Sequence, residues 1–351
     1  TAWHGMARFP RVKCPCKEVG AMEQIIQLIS NVGFPIACCI FLFSQQTKLT
    51  NTLHDISTTM QLMSARLDDI EDADDLKLAE YIYDDQNQVT QEKLLRQTSD
   101  YTYDTFGNIR SKKTTYKNGT YEQYSYTYGN ASWKDQLTAI SYRDTNGVTH
   151  NGTFSYDVSG NPLTYNNGKK GWEFTWQRGR QLATAKSGNV EIINTYDVDG
   201  IRDSKTVKTL QNGTVTESVR HDYTTLGGKL VREAYGQTVI DYFYDQDGRP
   251  YKIVVKNGNA TVATGYFVLN LQGDVIAIVD SNGAVAVEYE YDAWGKEIGV
   301  STAGNVENPL HTYNALKYRG YYYDSETGFY YVSSRYYDPE IGRFINADTI
   351  D

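Results

Sequence analysis

The stretch YTYDTFGNI, residues 101–109, is one copy of a unit that returns along most of this chain. The other copies are YIYDDQNQV (81–89), FSYDVSGNP (154–162), NTYDVDGIR (194–202), YFYDQDGRP (242–250), YEYDAWGKE (289–297) and YYYDSETGF (321–329). Trp176 lies midway between Tyr156 and Tyr196, which brings the local spacing to about 20 residues. A self-similar period of this length indicates a repeat architecture.

Each unit predicts a strand followed by a tight turn. Aromatic residues at alternate positions lie on one face of a strand. Asp followed three positions later by Gly favours a turn, because Asp can bond its own downstream backbone and Gly accepts a positive φ. Asn-Gly, a strong hairpin signal, recurs at 118, 146, 151, 167, 212, 257 and 282. The predicted turn residues are Asp84, Asp104, Gly107, Asp157, Gly160, Asp197, Gly200, Asp245, Gly248, Asp292, Gly295, Asp324 and Gly328.

The fold class predicted from this pattern is mainly β, a curved or spiralling antiparallel sheet of hairpins preceded by an α-helical segment. A single hairpin unit cannot bury its apolar face, so neighbouring units must stack or the sheet must curl.

Composition excludes several functional classes. The chain has 351 residues and a net charge of −9, which argues against a nucleic-acid partner. All four cysteines lie before residue 40 and the five histidines are scattered, so we expect no metal site and no cofactor. Acidic pairs such as Asp197 and Asp199 have neither calcium-loop nor glycosidase spacing, and we interpret them as turn residues.

The first 75 residues differ in composition from the rest. Residues 25–43 form an uncharged apolar run long enough to span a membrane. Apolar residues then recur at heptad spacing from Leu49 to Ile70, which predicts a short coiled coil or amphipathic helix. Together, residues 22–70 loosely resemble small phage proteins of the holin type. Lys17-Glu18-Val19 can be encoded as a ribosome-binding sequence upstream of Met22, so we interpret residues 1–21 as a leader that is untranslated in nature.

From about Tyr81 onward, the chain resembles the YD-repeat proteins of the RHS family. The segments YFVLNLQGDVIAIVDSNGAVAVEYEYDAWGKE (266–297) and YRGYYYDSETGFYYVSSRYYDPEIGRFINADT (318–349) carry the resemblance to the core region associated with that family. The resemblance implies a β-sheet that spirals into a hollow shell, which encloses a toxic C-terminal domain. The core motif residues that it implies are Arg319, Tyr323, Arg335, Tyr336, Tyr337, Asp338, Pro339, Gly342, Arg343 and Phe344.

The resemblance also bears on self-cleavage. In many relatives, a pair of aspartates after this motif cleaves the chain and releases the toxin. Asp348 falls where such a relative carries one of the two, and the second aspartate and the cleavage site would lie downstream of Asp351. We therefore expect no self-cleavage and no enzymatic activity from this sequence.

These observations predict four regions: a leader (1–21), the two helices (22–75), the repeat array (76–300) and a closing core (301–351) that ends before any toxin domain. The leading hypothesis is a non-enzymatic shell fragment of a bacterial RHS-type toxin, secreted or on the cell surface, with residues 25–43 as a candidate membrane anchor. The partners implied are the toxin domain and its immunity protein. The alternatives are a membrane-tethered adhesin that binds cell-wall glycans, and an incomplete aspartyl self-cleaving protein.

Overall fold

The computed structural model describes residues 79–302 and 308–348. The chain divides into two units, residues 1–74 and 75–351. The predicted leader, apolar helix and heptad helix lie outside the described residues. In the part of the chain that is described, no helix is long and apolar enough to cross a membrane.

Twenty consecutive strands build the main sheet, here called the repeat sheet. They are β1 (Ala79–Tyr83), β2 (Val89–Leu94), β3 (Gln97–Tyr103), β4 (Ile109–Tyr116), β5 (Tyr121–Thr127), β6 (Ala139–Arg143), β7 (Thr149–Tyr156), β8 (Pro162–Asn166), β9 (Gly171–Gln177), β10 (Gln181–Ser187), β11 (Val190–Tyr196), β12 (Arg202–Gln211), β13 (Thr214–Leu226), β14 (Lys229–Tyr235), β15 (Thr238–Tyr244), β16 (Pro250–Asn257), β17 (Ala260–Leu269), β18 (Val275–Asp280), β19 (Val285–Tyr291) and β20 (Glu297–Thr302).

Every strand of the repeat sheet pairs antiparallel with the next strand in sequence, so the sheet is an uninterrupted meander. The predicted fold class, a curved antiparallel sheet of hairpins, is therefore confirmed for the described residues. Inward-facing rings alternate with exposed side chains; in β5, for example, Tyr124 and Tyr126 are buried and Ser125 is exposed.

The Asp-x-x-Gly turns share one hydrogen-bond pattern, for which residues 104–108 serve as the example. The Asp104 carboxylate accepts from the backbone N–H of Phe106 at 2.9 Å and of Asn108 at 3.0 Å. Gly107 has φ +82° and donates its N–H to the Asp104 carbonyl. The side chain thus satisfies backbone donors that would otherwise be left unpaired in the turn.

A shorter run, residues 308–348, is here called the closing segment. It contains α1 (Pro309–Tyr313), a 3-10 helix (Tyr318–Gly320), and the strands β21 (Tyr322–Asp324), β22 (Phe329–Val332), β23 (Arg335–Asp338) and β24 (Arg343–Phe344). The four strands form a second antiparallel sheet. α1 is capped by Asn308, whose side chain accepts from the Leu310 N–H at 2.9 Å.

The repeat sheet curls until early and late strands touch. Lys112 lies in β4 and donates to the carboxylate of Asp292, which follows β19, at 2.7 Å. In a flat sheet, strands separated by fifteen pairings would be about 70 Å apart at ~4.8 Å per pairing. Tyr101 of β3 also packs edge-on against Trp294, with ring centroids 6.1 Å apart. The curvature therefore brings the first repeats against the last.

The core lies between the curled sheet and the closing segment. One buried cluster joins Tyr124, Ile140 and Phe174 of the repeat sheet to Phe329 and Ile341 of the closing segment. A second cluster joins β15 to β19 with Leu310 and Leu316. The closing segment thus contributes to both cores of this unit.

Candidate functional site

The site that the fold assembles is the face where the closing segment meets the repeat sheet. Tyrosine hydroxyls make much of this contact: Tyr330 donates to the Gly295 carbonyl at 2.9 Å, and Tyr337 donates to the Trp294 carbonyl at 2.8 Å. Their rings are buried or half-buried, so each tyrosine fills apolar space and satisfies a polar group at once.

A buried charge cluster, Arg202, Lys205 and Asp324, joins β12 to β21. Arg202 binds the Asp324 carboxylate with both terminal nitrogens, at 2.7 and 3.1 Å, and Lys205 binds it at 2.9 Å. The Arg202 guanidinium also lies over the rings of Tyr331 at 4.4 Å and Tyr223 at 5.0 Å. Burial alone would raise the pKa of Asp324, but the two cations hold that pKa below its usual range. Asp324 is therefore an ionised anchor for the closing segment.

A second charge cluster joins Glu122 and Lys169 of the repeat sheet and Lys296 of its last turn to Glu340 of the closing segment. Lys296 lies 3.0 Å and Lys169 2.7 Å from the Glu340 carboxylate, and both lysines also contact Glu122. Burial opposes ionisation of Glu340, but Lys296 and Lys169 hold its pKa well below the usual range. Opposite charges thus pair across the join.

Asp338 is the other buried carboxylate of the closing segment. It accepts from the Tyr165 hydroxyl at 2.8 Å and from the Asn167 amide at 3.1 Å. No lysine or arginine pairs with it among the described residues. Burial raises the pKa of Asp338 to about 6, and the nearby charge of Glu340 acts in the same direction.

The structure places the three arginines of the core motif in different surroundings. Arg319 donates its backbone N–H to Asp274 at 2.8 Å, and its guanidinium lies over the Tyr318 ring. Arg343 donates to the Tyr128 hydroxyl at 3.0 Å.

Arg335 lies 3.8 Å above the ring of Phe344 and pairs with Asp348 at 3.0 Å. The Asp348 side chain is 64% exposed. Its predicted role in self-cleavage stays a prediction.

Most of the remaining core motif residues pack against aromatic rings. Tyr336 and Tyr337 lie in β23, and Tyr337 meets the Phe344 ring edge-on at 5.3 Å. Tyr323 packs against Tyr330, with centroids 5.1 Å apart. Gly342 has φ +67°, and a Cβ there would lie 3.1 Å from the Trp294 ring. Pro339 stands in the connection between β23 and β24.

Two interpretations of the sequence need correction. Asp324 begins the turn that ends at Gly328, whose N–H donates to the Asp324 carbonyl at 2.8 Å, but its carboxylate binds Arg202 and Lys205 instead of the turn backbone. Asn151-Gly152 predicted a hairpin tip but lies inside β7. Glycine is required there because a Cβ would collide with the Asn166 carbonyl.

Sequence reasoning also missed several residues. Asp144, Asn270 and Asp280 accept from the backbone two and four positions downstream, as the predicted turn aspartates do. The Asp-x-x-Gly spacing at 144–147 and 280–283 could have identified two of them. Nothing in the local sequence marks Arg202 or Lys205.

The described residues offer little support for metal or glycan binding. Across 79–302 and 308–348, no group of three histidine, cysteine, aspartate or glutamate side chains could hold a metal ion. Of the tyrosine rows that motivated the glycan alternative, Tyr81 and Tyr83 are exposed, whereas Tyr101, Tyr124 and Tyr242 face inward and are each at most 3% exposed. Such buried rings cannot stack on a sugar.

Comparison with known proteins agrees with the fold. Residues 261–350 match the family Teneurin YD-shell. The chain is 33% identical over 254 residues to the tRNA nuclease WapA of Bacillus subtilis strain 168. This alignment covers 71% of this chain and 9% of that protein. It is 30% identical over 221 residues to the double-stranded DNA deaminase toxin A of Burkholderia cenocepacia. This second alignment covers 56% of this chain and 15% of that protein.

Solved structures share the architecture at lower identity. The crystal structure of TcdB2-TccC3 aligns with a TM-score of 0.51 and 18% identity, covering 77% of this chain and 16% of that one. A Tc holotoxin pore of Photorhabdus luminescens gives a TM-score of 0.51 at 17% identity, covering 78% of this chain and 15% of that one. With the repeated Tyr-Asp units and the uninterrupted meander, these matches show that residues 79–348 fold as a YD-shell of the RHS type, and that residues 261–350 match the family model itself.

Proposed function

We propose that this chain supplies wall and end closure for a shell that encloses the C-terminal toxic domain of an RHS-type toxin, and that it performs no catalytic step itself. The observation that carries this proposal is the closing segment, which packs against a curled sheet and binds it through buried ion pairs. Such a segment shuts one end of an enclosure, because it joins strands that lie far apart in the meander.

The activities named for two relatives differ, and this difference supports a carrier role for the part that they share with this chain. One is named for cleavage of tRNA and another for deamination of double-stranded DNA. Their alignments span 71% and 56% of this chain and therefore overlap, although the two reactions need different active sites. We infer that the shared stretch carries the toxic domain and that the chemistry resides elsewhere in those proteins.

Partners and location follow from this proposal. The enclosed partner would be a toxin domain downstream in the same polypeptide, and an immunity protein would protect the producing cell. A shell that delivers a toxin acts outside its own cell, so we propose a secreted or cell-surface protein.

Two assays test the proposal. The purified chain should neither cleave total tRNA nor deaminate double-stranded DNA under conditions in which the named relatives act. In the full-length gene product, native protease digestion should spare the domain that follows residue 351, whereas the same domain expressed alone should be degraded. Catalysis by this chain alone, or equal digestion of both forms, would contradict the shell.

A further inference from the structure

An amine and a carboxyl group meet in the interior where early and late strands join. Lys112 Nζ lies 2.7 Å from Asp292 Oδ2, with the two side chains 4% and 1% exposed. The residues are 180 positions apart in sequence. This distance brings the amine next to the carboxyl carbon, and burial shields both groups from water, so condensation competes with ion pairing.

The other oxygen of Asp292 is held by two backbone donors. Oδ1 accepts from the N–H of Trp294 at 3.0 Å and of Lys296 at 2.9 Å. The other Asp-x-x-Gly turns make the same two bonds, and at Asp292 they would also stabilise negative charge on Oδ1 in a tetrahedral intermediate of acyl transfer. Attack at Cγ would place negative charge on Oδ1 and leave Oδ2, beside the lysine, as the leaving atom.

A third group, Glu92, is linked to the pair through Tyr101, which stands opposite Lys112 in the register of β3 and β4. It is fully buried, and its Oε2 accepts from the Tyr101 hydroxyl at 3.2 Å. Burial, with the nearby charge of Asp292, raises the pKa of Glu92 to about 7, and its carboxylate is also hydrogen-bonded by the backbone of Ala293. Oε1 has no hydrogen-bond partner among the described residues. A carboxyl group that exchanges its proton near neutral pH is suited to general acid–base catalysis.

We propose that Lys112 and Asp292 form an intramolecular isopeptide bond, with Glu92 as the acid–base group. The bond would close a covalent loop through the repeat sheet and fix the early strands to the late ones. This proposal goes beyond the shell function and does not depend on it.

The chemistry balances without any added reagent. The reaction starts from the neutral amine and the neutral carboxylic acid that result when the proton of the pair moves from Nζ to Oδ2. The Nζ lone pair attacks Cγ, and the carbonyl π electrons move onto Oδ1. Glu92 takes a proton from Nζ and gives one to Oδ2. The Cγ–Oδ2 bond then breaks, and one water molecule leaves as the amide forms.

The chain contains a matched pair that should not react. Lys205 lies 2.9 Å from Asp324, and both side chains are as buried as the first pair. Asp324, however, is held ionised by the two bonds from Arg202. An ionised carboxylate resists nucleophilic attack, so this pair should remain an ion pair.

Intact-mass measurement of the complete, denatured chain tests the proposal. The chain should be lighter than its sequence mass by one water molecule, and a proteolytic fragment containing Lys112 should be joined to one containing Asp292. Lys112→Arg keeps the positive charge but should restore the full mass, and so should Glu92→Gln. Asp222→Asn, which removes the acid of an exposed ion pair, is the control and should keep the loss of water.

Two outcomes would overturn the isopeptide bond. The first is a native chain of full sequence mass, a result that does not depend on whether any variant folds. The second is a loss of water with the two fragments unlinked, which would indicate a cyclised aspartate instead. The mass of Glu92→Gln tests the role of Glu92 separately from the bond itself. An unchanged loss of water in this variant would show that Glu92 takes no part in catalysis.

Discussion

At the scale of single residues, the polar interior decides how the closing segment is held. Asp324 and Glu340 are paired with cations, while Asp338 is held by neutral donors from Tyr165 and Asn167. The paired carboxylates contribute stability when ionised. Asp338 acts in the opposite sense, because a buried acid without a cation is most stable with its proton bound.

We expect Asp338 to make stability fall as pH rises toward 6. Its pKa is raised from 3.8 to about 6 in the folded chain, so its contribution is fully present below pH 3.8 and is lost as pH rises through 6. The predicted loss is about 3 kcal/mol in the free energy of unfolding. Urea titrations between pH 4 and 7 measure the free energy of unfolding of the parent chain and of Asp338→Asn. The variant should not show this loss of stability with rising pH. Parallel pH profiles for the two proteins would contradict it.

Arg202→Met should destabilise the chain strongly. It leaves the buried Asp324 carboxylate with Lys205 as its remaining cation, and removing one partner of a buried pair costs about 3–5 kcal/mol. Arg220→Met is the matched control, since Arg220 pairs with Asp222 at 2.7 Å with both side chains more than half exposed. That change should cost less than about 1 kcal/mol. Similar shifts in chemical denaturation for the two variants would refute the anchoring role.

At the scale of the elements, the same glycine conformation occurs in one turn that is open and in another that is packed against the closing segment. Gly119 and Gly295 both have φ +82° and both follow a strand of the repeat sheet. The space around Gly119 is open, whereas a Cβ at Gly295 would collide with the ring of Tyr318 in the closing segment. Both turns need a positive φ, but only at Gly295 would a side chain also clash with the closing segment.

We expect alanine to separate these consequences. Gly119→Ala should cost about 1–2 kcal/mol, the cost of a left-handed backbone with a side chain. Gly295→Ala should cost a further ~1–3 kcal/mol because the closing segment must shift. Thermal and urea unfolding of both variants measure the difference. Equal losses would show that the closing segment does not press on this turn.

At the scale of the whole unit, the closing segment completes cores that the repeat sheet leaves open. Ile341 is 1% exposed and lies in the same cluster as Tyr124 and Phe174. The sheet cannot bury that face by itself, because its own hairpins supply only one layer.

Ile341→Asp should therefore release the closing segment and expose the inner face. We expect increased binding of a hydrophobic dye, faster proteolysis after residue 302, and a loss of several kcal/mol, because an unpaired charge enters an apolar core. Val198→Asp is the control, since Val198 is 95% exposed. Its stability should stay within about 0.5 kcal/mol of the parent. If the two variants behave alike, the core does not extend through Ile341.

The sequence by itself determined the local structure of the β unit. Alternating aromatic residues fix which face of a strand is buried, and Asp104 with Gly107 specifies its turn through bonds that span four residues. These interactions are short in sequence and recur in each repeat, so they can be recognised from the repeat pattern. The predictions for residues 1–75 lie outside the described residues and stay predictions.

Only the tertiary structure decided which distant residues meet. Arg202 and Asp324 are 122 positions apart, and Lys112 and Asp292 are 180 apart. Their pairing depends on how far the sheet curls, which is the accumulated twist of many strands rather than a property of any one of them. For the same reason, the sequence indicates that Asp324 begins a turn, and only the fold shows that its carboxylate is also a buried anchor.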